Sequence, residues 1–323
     1  MLIVTGGAGF IGSAYVWKLN SRGIDDILIV DNLGSSDKWK NLVNRRFVDY
    51  LHKEKFLAMI AGERLPFSVR AIVHLGACSS TTERDADYLM ENNYRYSRAL
   101  AEWSLRNNVR FLYASSGATY GDGSEGFSDD DQKTPALKPL NMYGYSKQLF
   151  DLWVLRNKLS QKVAGIKFFN VFGPNEYHKG EMASVVFKAF CQVRDTGKVR
   201  LFKSHRKEYK DGEQLRDFVY VKDCVEVIEW LRENPEANGI FNLGTGRSRS
   251  WNDLAAAVFS AMGRKNAIEY IDMPDSIRNS YQYFTEAKMD KLRSLGCSIR
   301  FRSLEDGIHD YVVNHLQQSD PRL

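Results

Sequence analysis

The stretch Leu-Ile-Val-Thr-Gly-Gly-Ala-Gly-Phe-Ile-Gly, from Leu2 to Gly12, constrains this 323-residue chain more than any other. Leu2, Ile3 and Val4 form a short apolar run suited to a strand buried on both faces. The glycines follow at once, and Ile11, Ala14, Tyr15 and Leu19 then recur at helical spacing. That order predicts strand, glycine turn, helix. Gly7, Gly9 and Gly12 satisfy G-x-G-x-x-G, and Gly6, Gly9 and Gly12 also read as G-x-x-G-x-x-G. The first glycine allows a tight turn. The second admits a pyrophosphate to the backbone, and the third lets helix and strand pack closely. Amides at the start of such a helix favour an anion. A second apolar run, Ile27 to Val30, ends in Asp31, 19 residues beyond Gly12, where a carboxylate can bond an adenosine ribose. Taken alone, Asp31 favours NAD. Lys38 and Lys53 follow it and are candidates to pair with a 2′-phosphate instead.

Further apolar runs repeat the pattern. Ala71 to Leu75 reads as a strand opening into the small residues Gly76, Ala77, Cys78, Ser79 and Ser80. Leu89, Tyr96, Leu100 and Trp103 mark one face of a long helix, with Asn92 and Asn93 near its start. Phe111 to Ala114 is a strand ending in Ser115 and Ser116, at the sheet edge where ligands of such folds bind. Gly121 to Pro139 is a loop by composition. The helix after it carries Tyr143 and Lys147, four residues apart and so on one face. Val163 to Phe169 is predicted as a strand, Asp217 to Val221 as another and Ile240 to Leu243 as a third. Helices are predicted around Met182 to Val193 and over Cys224 to Leu231, Trp251 to Met262 and Leu304 to Leu316. The polar stretch from Phe202 to Arg216 reads as a loop.

Strands alternating with helices predict an α/β fold, a Rossmann-type doubly wound parallel sheet with a smaller mixed α/β substrate domain. The chain break at Pro174 suggests the partition. Residues 1–170 form the dinucleotide-binding domain, with 216–240 returning to it, and 171–215 and 241–323 belong mainly to the substrate domain. Net charge is a mild +5 without a basic block, which argues against nucleic acid. Cys78, Cys191, Cys224 and Cys297 are scattered, so neither a metal site nor a disulfide framework is expected. The first strand at Leu2 leaves no room for a leader, and no apolar run is long enough to span a bilayer. The expectation is a cytoplasmic soluble enzyme without a membrane partner.

Tyr143 and Lys147 carry the chemistry. A phenol ionises near pH 10, and a cation one helical turn away stabilises its phenolate. Such a tyrosine can take a hydroxyl proton while hydride leaves carbon, with Ser116 holding the same oxygen. A non-catalytic dinucleotide sensor would need the glycine loop but neither Tyr143 nor Lys147.

With the glycine loop, the Ser116 strand end and Tyr143-x-x-x-Lys147 in view, the chain resembles the extended short-chain dehydrogenase/reductases, the nucleotide-sugar epimerases and dehydratases. Arg-Asp-Phe-Val-Tyr-Val at 216–221 and Phe-Asn-Leu-Gly-Thr-Gly at 241–246 belong to the same resemblance. Gly-Ala-Cys-Ser-Ser-Thr-Thr-Glu at 76–83, Phe-Asn-Val-Phe-Gly-Pro at 169–174 and His-Lys-Gly-x-Met-Ala-Ser at 178–184 are similar to the branch that inverts C6 of ADP-heptoses. The resemblance implies bound NADP, an ADP-heptose substrate, a role in lipopolysaccharide core precursor synthesis, and a homo-oligomer, a pentamer in that branch. It implies cofactor contacts from Phe10, Ile11, Asp31, Asn32, Lys38, Lys53, Leu75 to Ser79, Asn92, Lys147, Val171 and Lys179. It implies substrate contacts from Asn170, Glu181, Lys188, Phe202, Lys203, Ser204, His205, Arg216 and Tyr281. Lys179 is the candidate second acid–base group, since one tyrosine cannot easily serve both epimers. A 4-epimerase or a 4,6-dehydratase is the alternative within the superfamily. A dehydratase would carry an Asp-Glu pair after the active hydroxyl, where this chain has Gly117 and Ala118.

Overall fold

The computed structural model describes residues 1–62, 65–278 and 281–323. Its strands are β1 (Leu2–Thr5), β2 (Ile27–Asp31), β3 (Asp49–His52), β4 (Ala71–His74), β5 (Arg110–Ser116), β6 (Val163–Phe168), β7 (Asn170–Phe172), β8 (Val199–Phe202), β9 (Leu215–Arg216), β10 (Phe218–Tyr220), β11 (Gly239–Leu243), β12 (Arg249–Ser250) and β13 (Ile268–Ile271). The helices are α1 (Phe10–Ser21), α2 (Lys53–Ala61), α3 (Ala86–Leu89), α4 (Tyr96–Arg106), α5 (Met142–Arg156), α6 (Val185–Thr196), α7 (Val221–Glu233), α8 (Trp251–Ala261), α9 (Asp275–Arg278), α10 (Asp290–Ser294) and α11 (Leu304–Tyr311).

Seven strands form one sheet in the order β11-β6-β5-β4-β1-β2-β3, every pair parallel. Successive residues of β1 alternate between two cores. Leu2 and Val4 pack with α1 and α7, while Ile3 packs with Phe56, Leu100 and Phe150 from α2, α4 and α5. Both faces are therefore covered, which explains the continuous apolar runs. The direction of winding reverses between β1 and β4, and ligands of open α/β sheets bind at the carboxyl ends of strands beside such a reversal. Three small strand pairs lie outside this sheet: β7 with β10, β9 with β12, and β8 with β13.

Several expectations are corrected here. The predicted strand over 163–169 ends at Phe168, and a new one starts at Asn170; the Phe169 amide turns to the Leu243 carbonyl. The strand predicted from Asp217 to Val221 is shorter, Phe218–Tyr220, and Asp217, whose amide bonds the Thr285 hydroxyl, separates it from the two-residue strand Leu215–Arg216 at the end of the expected loop. Val221 already begins α7. The return of the chain to the main sheet extends to Leu243, because Gly239–Leu243 pairs residue for residue with Ala164–Phe168. The long helix expected after Leu89 contains a π-helical segment, Met90–Arg95, which carries Asn92 and Asn93. Strands β3, β8 and β13 were not expected; each is four residues long and none is buried throughout, so none presents the continuous apolar run that marks strands such as β1.

Glycines set how closely the first helix approaches. Gly6 has φ of +67°, and a Cβ there would lie 2.6 Å from the Gly76 Cα. A Cβ on Gly12 would enter the Gly6 carbonyl. Gly12→Ala is therefore expected to cost about 2 kcal/mol through overpacking. Urea denaturation of the two proteins checks this, and equal midpoints would contradict it.

Candidate functional site

A cavity of about 670 Å³ runs along the carboxyl ends of β1, β4, β5 and β6. The glycine turn forms one end. Gly9 caps α1 without a side-chain acceptor, so no side chain occupies the first-turn amides. Gly6, Gly9, Phe10, Ile11 and Gly12 line the cavity there, with Leu75, Gly76, Ala77, Cys78 and Ser79 beside them. A smaller cavity of about 120 Å³ adjoins it, lined by Asp31, Asn32, Lys38, Lys53, Asn92 and Tyr88 among others. The Asp31 carboxylate accepts from the Ala8 and Asn32 amides and pairs with the Lys38 ammonium at 2.7 Å. Lys53 donates to Asn92 Oδ1 at 2.6 Å. The π-helical segment thus meets α2 through its own asparagine. Asn93 braces the opposite side, bonding both backbone atoms of Cys78 and the Ser146 hydroxyl.

The middle of the large cavity holds Ser116, Tyr143 and Lys147. Asn141 caps α5 by accepting from the Gly144 amide, which fixes the helix one residue before Tyr143. Lys147 is 4% exposed and donates to the Ala114 carbonyl at 2.9 Å. Burial lowers Lys147 to about 8, with Asp151 pulling the other way. Burial raises the Tyr143 phenol, and the Ser116 hydroxyl opposes that rise.

A second ammonium reaches the cavity from another part of the chain. Lys179 lies in the turn Tyr177–Met182, 5.4 Å from the centre of the Phe10 ring. Burial lowers its pKa and the Glu176 carboxylate opposes the shift. Its neighbour His178 is lowered to about 4 by burial and by Lys38 and Lys179. Asn170 and Val171 line the cavity at the start of the same segment.

The glycine cradle, its uncapped helix start and the two lysines of the smaller cavity fit a dinucleotide and its phosphates. Comparison with known proteins agrees. The model of the NAD dependent epimerase/dehydratase family matches residues 2–244. The ADP-L-glycero-D-manno-heptose-6-epimerase of Nitratidesulfovibrio vulgaris strain DP4 is 62% identical over 323 residues, all of both chains. The chain belongs to the NAD dependent epimerase/dehydratase family, among the ADP-L-glycero-D-manno-heptose-6-epimerases. The epimerase of that name from Fusobacterium nucleatum is 47% identical, again over the whole of both chains. Among solved structures, the Helicobacter pylori enzyme of that name superposes with a TM-score of 0.81 at 26% identity, covering 97% of this chain and 95% of that one. The Thermus thermophilus UDP-glucose 4-epimerase, solved with NAD, gives 0.76 at 26% identity over 95% and 96%. A nicotinamide dinucleotide is thus the cofactor class of this epimerase family.

Not every residue that the family resemblance singles out lines the cavities. Glu181 is nearly fully exposed and pairs with the half-exposed Lys188 at 3.0 Å. Lys203 pairs with Asp272, the Ser204 amide bonds Asp211, and His205 meets the Tyr283 hydroxyl at 2.9 Å. The Phe202 ring faces Tyr281 at 6.5 Å. Arg216 is 6% exposed and donates to the Leu215 and Gln282 carbonyls, with the Trp251 and Tyr281 rings 5.6 and 5.1 Å away. These two rings are joined by a Trp251–Tyr281 hydrogen bond, and only Trp251 lines the cavity. His178, Met182, Ser184, Phe218 and Trp251 line it too; the first four fall inside motifs of the resemblance that assigned them no site role, and Trp251 falls in none. His178 and Ser184 bound a stretch of the resemblance and went unread because the chemistry pointed to Lys179. Among the described residues no cluster has metal-binding composition, and no helix is long and apolar enough to cross a membrane.

The loop carrying Lys179 is closed by Glu176, which is fully buried and accepts from the Gly173 amide and from the Ser184 amide and hydroxyl. Glu176→Ala strands these donors and is expected to cost about 3 kcal/mol. Faster hydrogen exchange over residues 173–184 than in the parent checks the loop itself; unchanged protection there would contradict it.

Proposed function

We propose that this chain inverts C6 of the heptose in ADP-D-glycero-D-manno-heptose, giving the L-glycero epimer, with NADP along the sheet edge. The observation that carries the reading is one cavity receiving Tyr143 and Lys147 from α5, Ser116 from β5 and Lys179 from a separate loop. The relatives' shared name supplies the substrate. On this reading the sheet-bearing residues hold the dinucleotide, and the segments around 171–215 and beyond Leu243 hold the sugar.

A bound nicotinamide supplies reversible hydride acceptance at C6. The protein's own groups handle the proton. Tyr143 takes it from the C6 hydroxyl, Lys147 stabilises the resulting phenolate, and Ser116 holds the oxygen. Inversion through a 6-ketone presents that oxygen in two directions. A second acid–base group is therefore needed, and Lys179, with its pKa lowered by burial, suits the task. Its placement on another segment than Tyr143 supports the assignment.

For the cofactor, Asp31 alone argues for NAD, because a free carboxylate repels a 2′-phosphate. Here that carboxylate is already paired with Lys38, and Lys53 stands in the same small cavity. Two ammonium groups against one carboxylate favour the additional phosphate of NADP. Acid extraction of the purified protein is expected to release NADP. Lys38→Ala should weaken NADP about tenfold or more while NAD changes less, the scale of one charge-assisted hydrogen bond. Recovery of NAD alone, or equal effects on both dinucleotides, would overturn the assignment.

The reaction itself is tested by NMR of C6 configuration with ADP-D-glycero-D-manno-heptose. Tyr143→Phe is expected to keep the fold and bound dinucleotide and lose about 10²–10⁴-fold in turnover. Lys179→Met should likewise keep dinucleotide and sugar binding and lose epimerisation. If Lys179→Met epimerises at the parent rate, Lys179 only binds and the two-base mechanism falls.

A further inference from the structure

Beneath the cavity lies a buried charge pair. Asp151 on α5 and Lys167 on β6 are both fully buried, 3.0 Å apart. Neither lines the cavity. A buried ion pair is weak evidence for stability, since apolar residues of similar size often serve as well or better. Its presence under a reactive centre calls for another explanation.

The pair's contacts supply one. Tyr143, Lys147 and Asp151 follow at four-residue steps, so they share one face of α5. The Asp151 carboxylate accepts from the Tyr113 hydroxyl at 2.9 Å and the Ser115 hydroxyl at 2.7 Å. Gly165 leaves the space that the Tyr113 ring fills. Lys167 donates to the Thr119 hydroxyl at 2.8 Å, and that hydroxyl donates to the Ser116 carbonyl at 2.8 Å. Between these, Lys147 holds the Ala114 carbonyl. Every residue from Tyr113 to Ser116 is thus tied to Lys147, Asp151 or Lys167, directly or through Thr119.

Among the described residues Lys147 has no ion-pair partner in direct contact. The ionisable groups around it are Tyr143 and Asp151 on its own helix, Cys78 and His74 from β4 and the loop after it, and Lys167 on β6 behind Asp151. His74 is held neutral by burial, its pKa lowered to about 3. Among the described residues, Asp151 is therefore the carboxylate that acts on both buried ammonium groups.

We propose that Asp151 is a positioning residue that keeps Lys147 cationic beneath Tyr143, and that Lys167 sets how much of the Asp151 charge Lys147 receives. The inference rests on the proton-handling role given to Lys147 above. It makes an unusual demand: removing either member of one ion pair must move Lys147 in opposite directions. Without Asp151, two cations share a dry site and Lys147 sheds its proton more readily. Without Lys167, the whole carboxylate charge is left to Lys147, which holds its proton more tightly.

The test labels the lysines of the dinucleotide-bound protein with ¹³C at Cε and follows Lys147 with pH by NMR, assigned with Lys147→Arg. Asp151→Asn is expected to lower the Lys147 midpoint by roughly one pH unit or more, and Lys167→Met to raise it. The alkaline limb of kcat should move with the midpoint in each variant, while KM and dinucleotide affinity hold. If either single variant fails to fold, the apolar double variant Asp151→Leu/Lys167→Met decides. Its midpoint should fall, because the counter-charge is gone although the packing is filled. Shifts of both single variants in one direction, unmoved midpoints, or a parent-like midpoint in the double variant would each overturn the proposal. The titration is read without any sugar substrate. Absence of turnover on the ADP-heptose would therefore fault the assigned reaction and not this inference.

Discussion

Two backbone segments meet at the reversal point of the sheet with no room for a side chain between them. Gly6 follows β1 and Gly76 follows β4, and a Cβ on Gly6 would come within 2.6 Å of both the Gly76 amide nitrogen and its Cα. Gly12 repeats the demand one turn into α1, against the Gly6 carbonyl. This contact draws the start of α1 down onto the strand ends. Its first-turn amides are then left facing the cavity mouth rather than a capping side chain. The remaining site is built outward from that contact. The loop after β4 lines one side, β5 and α5 supply Ser116, Tyr143 and Lys147, and the loop after β7 supplies Lys179.

Such a site holds its charges close to or inside the protein, and each buried one is answered. Asp31 has Lys38 and two amides, Glu176 has the two ends of its own loop, and Asp151 has Lys167 with two hydroxyls. Asp217 is fully buried and accepts from the amides of Thr245, Gly246 and Ala287 as well as the Thr245 hydroxyl. Leaving such a group unpaired costs far more than the pair yields in net stability. These carboxylates therefore act as pins: each fixes a loop or strand end whose position the cavity depends on. Lys147, buried, and Lys179, partly buried, differ because they reach the cavity with no carboxylate in ion-pair contact among the described residues. Their lowered pKa values follow from that arrangement.

Local pattern made the sheet and its chemistry legible. Apolar runs leading into glycine, aspartate or serine marked β1, β2, β4 and β5, because a strand buried on both faces needs no alternation. Tyr143-x-x-x-Lys147 was legible because helical spacing alone puts both on one face. Weakly apolar edge strands such as β3, with its four partly or fully exposed residues, carried no such signal. The break at Asp217 was hidden as well, since it depends on hydrogen bonds to Thr245, Thr285 and Ala287 from distant segments.

The sequence by itself determined the doubly wound fold, the glycine turn after β1 and the shared helix face of Tyr143 and Lys147, because each rests on a pattern within one strand-turn-helix unit or one helical turn. Only the tertiary structure decided which partner each lysine faces. Lys38 turns to Asp31, Lys53 to Asn92, Lys188 to Glu181 and Lys167 to Asp151, while Lys179 is left at the cavity. A lysine's spacing in sequence fixes neither its burial nor its partner. Its long side chain reaches whatever the packing of remote elements brings near, and the low dielectric of that packing decides whether its charge is paired, shifted or free to act.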